Sequence, residues 1–136
     1  MNDHQEDSVA SRKGRALEKL KRDLGQEFLQ KFLNPNLLEV MCNPNEDGSS
    51  SIFWEEQGQD MVYDPEMSKR FNSSRAESVI KTIAGYYNKT VNEADPILES
   101  QFPIDGSRFT GIMPPVTTTP SFTIRKRPNR VFTLDE

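Results

Sequence analysis

The sequence predicts an α+β domain, with a largely antiparallel sheet of about six short strands and two main helices packed on it. Two patterns predict this class. The helical and strand-like segments follow each other in the order helix, three strands, helix, three strands, and the strand-like segments are short and separated by turn residues. The length of 136 residues fits one hydrophobic core.

The first element is a long amphipathic helix, predicted from Ser11 to Leu33. Its apolar residues recur at spacings of three and four, which places them on one stripe: Leu17, Leu20, Leu24, Phe28 and Phe32. We expect the helix to end at Asn34, because Pro35 disfavours helical geometry at the residue before it. Residues 1–10 are polar and acidic, and are predicted to form a disordered lead-in.

Three short strands separated by tight turns follow the first helix. The first runs from Leu38 to Cys42 and ends in a turn rich in Asn, Pro, Asp and Gly. The second and third are predicted in the segments SSIFWEEQ and DMVYD. Such an arrangement is typical of an antiparallel meander.

The second helix is predicted in the segment NSSRAESVIKTIAGYYNK. Ser74 as N-cap with Glu77 three residues later has the spacing of a capping box. One face of this helix is apolar: Ala76, Val79, Ile80, Ile83, Ala84 and Tyr87. Three further strands are predicted in PILESQFP, SRFTGIMPP and SFTIRKRP, with the prolines marking strand ends or a sheet edge.

The composition excludes several classes of function. A net charge of −4 argues against a nucleic-acid-binding surface, so no sequence-specific nucleic-acid partner is expected. Cys42 and His4 are the only cysteine and histidine of the sequence, so neither a metal site nor a Ser/His/Asp or Cys/His catalytic set is predicted. No apolar run approaches the roughly 18 residues of a membrane span, and a cytosolic protein is expected.

Two basic regions remain as candidate binding surfaces. The first half of the first helix carries Arg12, Lys13, Arg15, Lys19, Lys21 and Arg22. These cations form either a solvated face or a contact with anionic lipid headgroups or an acidic partner. The second region contains Arg108 and Arg125, in the last two predicted strands. If these strands are neighbours, both guanidinium groups could converge on one anion; otherwise they pair with carboxylates such as Asp105 and Glu99.

A phosphate-binding P-loop is not encoded in this sequence. Gly106 and Gly111 have the required glycine spacing, but Ile112 and Met113 follow where the motif needs Lys and Ser or Thr.

Two long segments, FLNPNLLEVMCNPNEDGSSSIFWEEQG and PILESQFPIDGSRFTGIMPPVTTTPSFTIRK, carry a resemblance to a known family. They resemble the N-terminal domain of the conjugation and type IV secretion traffic ATPases of the TrbB type. In that family an E-[IV]-M-x-N-P stretch precedes a strand with tryptophan, and a G-x-R-F-x-G-x-x-P-P-V stretch precedes F-x-I-R-K. The resemblance runs from about Phe32 to Glu136, and Glu39, Trp54, Arg108 and Arg125 fall in register.

The resemblance implies a homo-hexameric ATPase that lies peripherally at the cytoplasmic face of the inner membrane and powers conjugative plasmid transfer or type IV secretion. Each N-terminal domain would pack on its own RecA-like C-terminal domain, on neighbouring protomers and on components of the secretion system. Arg108 and Arg125 would approach the terminal phosphate of ATP, with Lys126 as a further nucleotide contact. ATP and Mg²⁺ are expected in the full-length protein, and neither is expected on this chain alone.

The sequence departs from the family because the P-loop and the RecA-like domain are absent. Residues 11–130 correspond to the N-terminal domain and 131–136 to the start of the linker, so no ATPase activity is expected of this chain alone. The segment ESQFP also stands where the family has A-E-L-P. The alternatives are a free-standing interaction module that binds or inhibits such an ATPase, and a sensor domain for a small ligand.

Overall fold

The computed structural model describes residues 2–127, with side chains from residue 10 onward. The predicted linker at 131–136 lies outside the described residues. Within 2–127 the chain forms four helices and six strands. The helices are α1 Asn2–Leu24, α2 Gln26–Phe32, α3 Pro65–Arg70 and α4 Ser73–Tyr86; the strands are β1 Leu37–Pro44, β2 Ser50–Glu56, β3 Val62–Asp64, β4 Ile97–Gln101, β5 Arg108–Ile112 and β6 Ser121–Arg125.

The six strands form one sheet in the order β3-β2-β1-β6-β5-β4, and every neighbouring pair is antiparallel. The predicted α+β class is therefore confirmed, and so is the meander β1-β2-β3. The order also places β6 beside β1, although the two strands are far apart in sequence.

The core lies between the helices and one face of the sheet. The buried strand residues alternate along each strand, as in Val40 and Cys42 of β1 or Phe122 and Ile124 of β6, so they all point to the same side. Six phenylalanines at the centre of this core form a closed circuit of ring contacts, with centroids 5.0 to 6.3 Å apart: Phe28, Phe32, Phe102, Phe109, Phe122 and Phe71.

The long first helix predicted from Ser11 to Leu33 is two helices. Gly25, with φ of 86° and ψ of 157°, separates α1 from α2, and an L side chain rarely adopts that backbone conformation. Both helices nevertheless bury the predicted stripe, because Leu20 and Leu24 before the break and Phe28 and Phe32 after it all lie in the core. At its other end α1 begins at Asn2, so it extends through most of the segment predicted as a lead-in.

The second predicted helix corresponds to α4, whose apolar face is buried as expected. The predicted capping box at Ser74 is wrong. Asn72 is the N-cap, and its side chain accepts a hydrogen bond of 2.8 Å from the backbone N–H of Arg75. Helix α3 was not predicted, although Asp64 as N-cap and Pro65 at the first helical position are typical start signals.

Candidate functional site

A row of polar side chains crosses the sheet on the face opposite the core. Register pairs Glu39 of β1 with Arg125 of β6, Arg125 with Arg108 of β5, and Arg108 with Gln101 of β4. We call these four residues the cross-strand row. Directly paired residues of antiparallel strands have Cβ atoms about 4.5 to 5.5 Å apart, so the two arginines are immediate neighbours. The structure thus brings together Arg108 and Arg125, as the sequence suggested for adjacent strands.

The local sequence explains why both arginines point away from the core. Phe109 and Ile124 are each fully buried and pair with each other in the next register position. Because side chains alternate across a strand, burying these two residues turns Arg108 and Arg125 to the other face. Both arginines are exposed, and the side chain of Arg125 is 68% accessible.

The two arginines differ in how they are held. Arg125 donates a hydrogen bond of 3.0 Å from Nε to Oε1 of Glu39, whose side chain is only 11% accessible. The guanidinium group of Arg108 forms no hydrogen bond or ion pair with any side chain that the structure describes, and neither Asp105 nor Glu99 pairs with it. The row therefore contains one anchored and one unengaged guanidinium group beside each other.

Lys126, the third predicted nucleotide contact, is not brought to this row. Its Nζ donates a hydrogen bond of 2.6 Å to the backbone carbonyl of Phe32 and lies 4.4 Å from the centroid of that ring. Asp105 approaches the same ammonium at 3.9 Å. Burial lowers the pKa of Lys126, and the nearby Asp105 partly opposes this shift. Lys126 follows Arg125 directly, so strand alternation turns it to the helix side, where it holds the end of α2.

Sequence reasoning gave Glu39 no role, although it matched the family motif. The available signal was an acidic residue within the strand pattern LLEVMC. A carboxylate that is nearly buried in a strand requires a partner, and the register supplies Arg125.

The structure describes little else that could act as a catalytic centre. Cys42 is buried, and burial raises the pKa of its thiol to about 11, so it is a poor nucleophile. No group of three or more metal-ligating His, Cys, Asp or Glu side chains comes together among the described residues. None of the helices within 2–127 is long and apolar enough to cross a membrane.

Comparison with known proteins identifies relatives of this chain. It is 38% identical over 122 residues to a probable conjugal transfer protein TrbB of Sinorhizobium fredii, and 33% identical over 122 residues to the conjugal transfer protein TrbB of Rhizobium radiobacter. Each alignment covers 90% of this chain but only 35% of the relative, so the chain spans roughly a third of the length of these curated relatives. No family model matches the chain.

Among solved structures, the crystal structure of the VirB11 ATPase from the Brucella suis type IV secretion system in complex with sulphate matches with a TM-score of 0.69. The sequence identity is 22%, and the match covers 95% of this chain and 35% of that chain. At this identity the likeness concerns the fold.

Proposed function

Because the chain is homologous to TrbB conjugal transfer proteins, as its motifs indicated, we propose that it is the N-terminal domain of a conjugation or type IV secretion ATPase. In this proposal the domain completes a nucleotide site whose phosphate cradle belongs to a RecA-like domain of the same polypeptide or of a neighbouring protomer in a hexameric ring. The assembly acts at the cytoplasmic face of the inner membrane. The pairing of Arg108 with Arg125 on an exposed sheet face is the observation that carries the proposal.

The charge arrangement favours an anion at this position. Like charges that lie directly opposite each other on neighbouring strands destabilise a sheet. Glu39 compensates one of the two guanidinium groups, which leaves one positive charge uncompensated within the cross-strand row. An anion between the arginines relieves this repulsion.

A phosphate group suits the geometry of the row. Guanidinium groups bind phosphate oxygens through planar, charge-assisted hydrogen bonds. Glu39 engages Arg125 through Nε, so the two terminal nitrogens of that side chain are left for another acceptor. Arginines so placed stabilise the charge that spreads over a transferring phosphoryl group without forming the phosphate loop themselves.

ATP and Mg²⁺ belong to this proposal as ligands of the longer protein. The donor set of the row fits phosphate oxygens, whereas the described residues offer no cluster of carboxylates for the metal. This chain would therefore contribute positive charge and orientation, and the P-loop domain would supply the main nucleotide and magnesium contacts.

The test uses a polypeptide in which this sequence continues into a P-loop domain. We expect Arg125→Ala and Arg108→Ala each to lower the rate of ATP hydrolysis roughly tenfold or more, since each removes a charged donor from the developing phosphoryl charge. Arg127→Ala is the matched control, because Arg127 is exposed and lies outside the row. Unchanged turnover in both row variants would rule out the proposed role, and so would robust turnover by the present chain that Arg108→Ala removes.

A further inference from the structure

A cavity of about 320 Å³ lies at one edge of the sheet, between α2 and the hairpin of β2 and β3. We call it the edge pocket. Its apolar lining includes Leu37, Trp54 and Val62, and the carboxylates of Glu56 and Asp60 also line it. The volume falls within the range of binding pockets, and it suffices for one large apolar side chain.

The polar groups beside Trp54 are already engaged. Lys31 Nζ lies 5.6 Å from the centroid of the Trp54 ring and pairs with Oδ2 of Asp64 at 2.6 Å. The indole Nε1–H donates a hydrogen bond of 2.9 Å to the same carboxylate oxygen. The cation position over this ring is therefore taken, and Trp54 offers a ligand of the edge pocket its apolar surface.

Glu56 and Asp60 are carboxylates of the edge pocket that have no cation beside them. Glu56 is half-buried and accepts a hydrogen bond of 2.7 Å from Nδ2 of Asn34, whereas Asp60 is exposed. Neither carboxylate forms an ion pair with a residue that the structure describes. Because opposite charges attract more strongly near a protein surface than in bulk water, a lysine or arginine of a ligand is favoured here.

The two edges of the sheet differ in how they are protected. At β4, Lys89 Nζ donates a hydrogen bond of 2.9 Å to the backbone carbonyl of Glu99, and a lysine at an edge hinders pairing with another strand. At β3, no described side chain donates to the backbone of Val62 or Tyr63, which are 57% and 49% exposed. The strand β3 is thus an open apolar edge, and the edge pocket lies beside it.

We propose that the edge pocket and β3 together bind an extended peptide segment of a partner protein. The segment pairs with the open edge of β3, and one of its apolar side chains enters the pocket over Leu37 and Trp54. Side chains two positions apart point to the same side of a strand, so a lysine or arginine two residues from the apolar one faces Glu56 or Asp60. The segment therefore carries a basic and an apolar residue separated by one position.

The arrangement of charge and backbone favours this occupant over a second copy of the pocket. Two edge pockets in contact would bring Glu56 and Asp60 of both copies together, and like charges there repel. An open strand edge offers main-chain hydrogen bonds to an extended segment, which a helix cannot accept along its length. This inference goes beyond the proposed nucleotide role and does not involve Arg108 or Arg125.

The experiment uses the acetylated and amidated peptide Lys-Val-Leu-Val-Lys as the probe. Its basic residues lie on both sides of the leucine, so it suits either strand direction. Trp54 is the only tryptophan of the sequence, and its fluorescence therefore reports the binding of a peptide that has none. We expect saturable binding at millimolar peptide concentrations, with NMR shifts of the amides of Val62 and Tyr63.

Matched peptides separate the two parts of the recognition. Replacing the leucine with serine should weaken binding roughly tenfold, because the apolar burial is lost. Replacing both lysines with glutamate should weaken it at least as much, because the peptide then repels the two carboxylates. Equal affinity for either matched peptide would contradict the proposal.

Variants of the chain test the same contacts from the other side. Glu56→Gln with Asp60→Asn should weaken binding of the lysine peptide about threefold or more. Glu93→Gln with Asp95→Asn is the matched control, since it neutralises two exposed carboxylates elsewhere on the described surface and should leave binding unchanged. Circular dichroism establishes that each double variant is folded before it is scored.

Several outcomes would overturn the proposal. They are the absence of saturable binding, unchanged binding by Glu56→Gln with Asp60→Asn, and NMR shifts confined to residues away from β3. Shifts of Val62 and Tyr63 that appear when the chain is concentrated without peptide would assign this edge to a second copy instead. None of these outcomes bears on the arginine row, whose test is ATP turnover.

Discussion

Glu39 of β1 lies directly opposite Arg125 of β6, and its carboxylate accepts the Nε–H of that arginine at 3.0 Å. The two side chains differ in exposure, because Glu39 is 11% accessible and Arg125 is 68% accessible. The carboxylate is fixed in the sheet surface, whereas the guanidinium extends beyond it. Glu39 is thus placed to orient Arg125 toward a ligand.

Replacing Glu39 with Gln tests this orienting role. We expect the free energy of unfolding to fall by about 1 kcal/mol or less, because the arginine is mostly exposed and its charge remains solvated. The Nε proton of Arg125 should exchange faster with solvent, which NMR on this chain measures. In the longer ATPase, kcat should fall more than KM rises, since a misoriented arginine weakens the transition state chiefly.

Glu55→Gln is the control for that variant. Glu55 pairs with Glu39 in the register of β1 and β2, and its side chain forms no hydrogen bond or ion pair with an arginine among the described residues. If the exchange rate of the Arg125 Nε proton is the same in Glu39→Gln as in the unaltered chain, Glu39 does not hold the arginine.

Lys126→Ala tests whether Lys126 stabilises the fold or takes part in anion binding. The substitution leaves the Phe32 carbonyl without its hydrogen bond and removes a side chain that is only 9% accessible. We expect a loss of about 1 to 3 kcal/mol in the free energy of unfolding. If sulfate binds between Arg108 and Arg125 and stabilises the chain, that stabilisation should be the same in Lys126→Ala, because Lys126 lies on the opposite face from Arg108.

Urea unfolding with and without sulfate measures the free energy of unfolding and its dependence on sulfate. Arg127→Ala is the control, because Arg127 is an exposed neighbour whose replacement should change stability little. If sulfate raised the free energy of unfolding of the unaltered chain but not of Lys126→Ala, Lys126 would have to contribute to the anion site.

Asp64→Asn should change how stability depends on pH. Burial raises the pKa of Asp64, but hydrogen bonds from Lys31, from the backbone N–H of Met67 and from Trp54 outweigh burial and hold that pKa below its ordinary value of 3.8. The stabilisation by the carboxylate is therefore complete above pH 3.8 and is lost as the pH falls through the lower pKa of the folded state. Asn keeps the N-cap of α3 but lacks the charge.

We expect Asp64→Asn to lower the free energy of unfolding by about 1 to 2 kcal/mol at neutral pH. Urea unfolding over a pH series should show this difference shrink toward zero in acid. Asp60→Asn, an exposed carboxylate of the same hairpin, should show little difference at any pH. A deficit for Asp64→Asn that is independent of pH would contradict the assignment.

Gly111→Ala tests the close packing of α4 on the sheet. A Cβ at this position would lie 2.9 Å from Cγ1 and 3.0 Å from Cγ2 of Ile80, and 3.1 Å from Cε2 of Phe109. Since Ile80 and Phe109 are fully buried, we expect overpacking to cost about 1 to 3 kcal/mol.

Removal of both Ile80 branches should relieve this clash. The double variant Gly111→Ala with Ile80→Ala should therefore be more stable than the sum of the two single effects predicts. Thermal unfolding of the four proteins in this cycle gives the coupling, and strict additivity would show that the methyl group is accommodated elsewhere.

Much of the fold could be predicted because its strands and helices carry local patterns. The segments SRFTGIMPP and SFTIRKRP, with prolines at their ends, were sufficient to locate β5 and β6. The division of the first helix was missed because an isolated glycine within a helical pattern is often tolerated, and the apolar stripe continues past Gly25.

The site was only partly predictable, since its geometry depends on contacts between distant segments. Arg108 and Arg125 could be proposed as partners only if their strands were neighbours, and register is not visible in either strand alone. The pairing of Glu39 with Arg125 spans 86 positions. For Lys126, by contrast, strand alternation alone places the side chain on the opposite face from Arg125.

The pairing of Phe109 with Ile124 has a consequence for how the site is inherited. A shift of one residue in either strand would expose one of these apolar side chains and bury an arginine, so only one alignment of the two strands is compatible with folding. The strand register that the core requires therefore also fixes the positions of Arg108 and Arg125 relative to each other. Selection for a sound core is at the same time selection for the correct placement of the charges outside it.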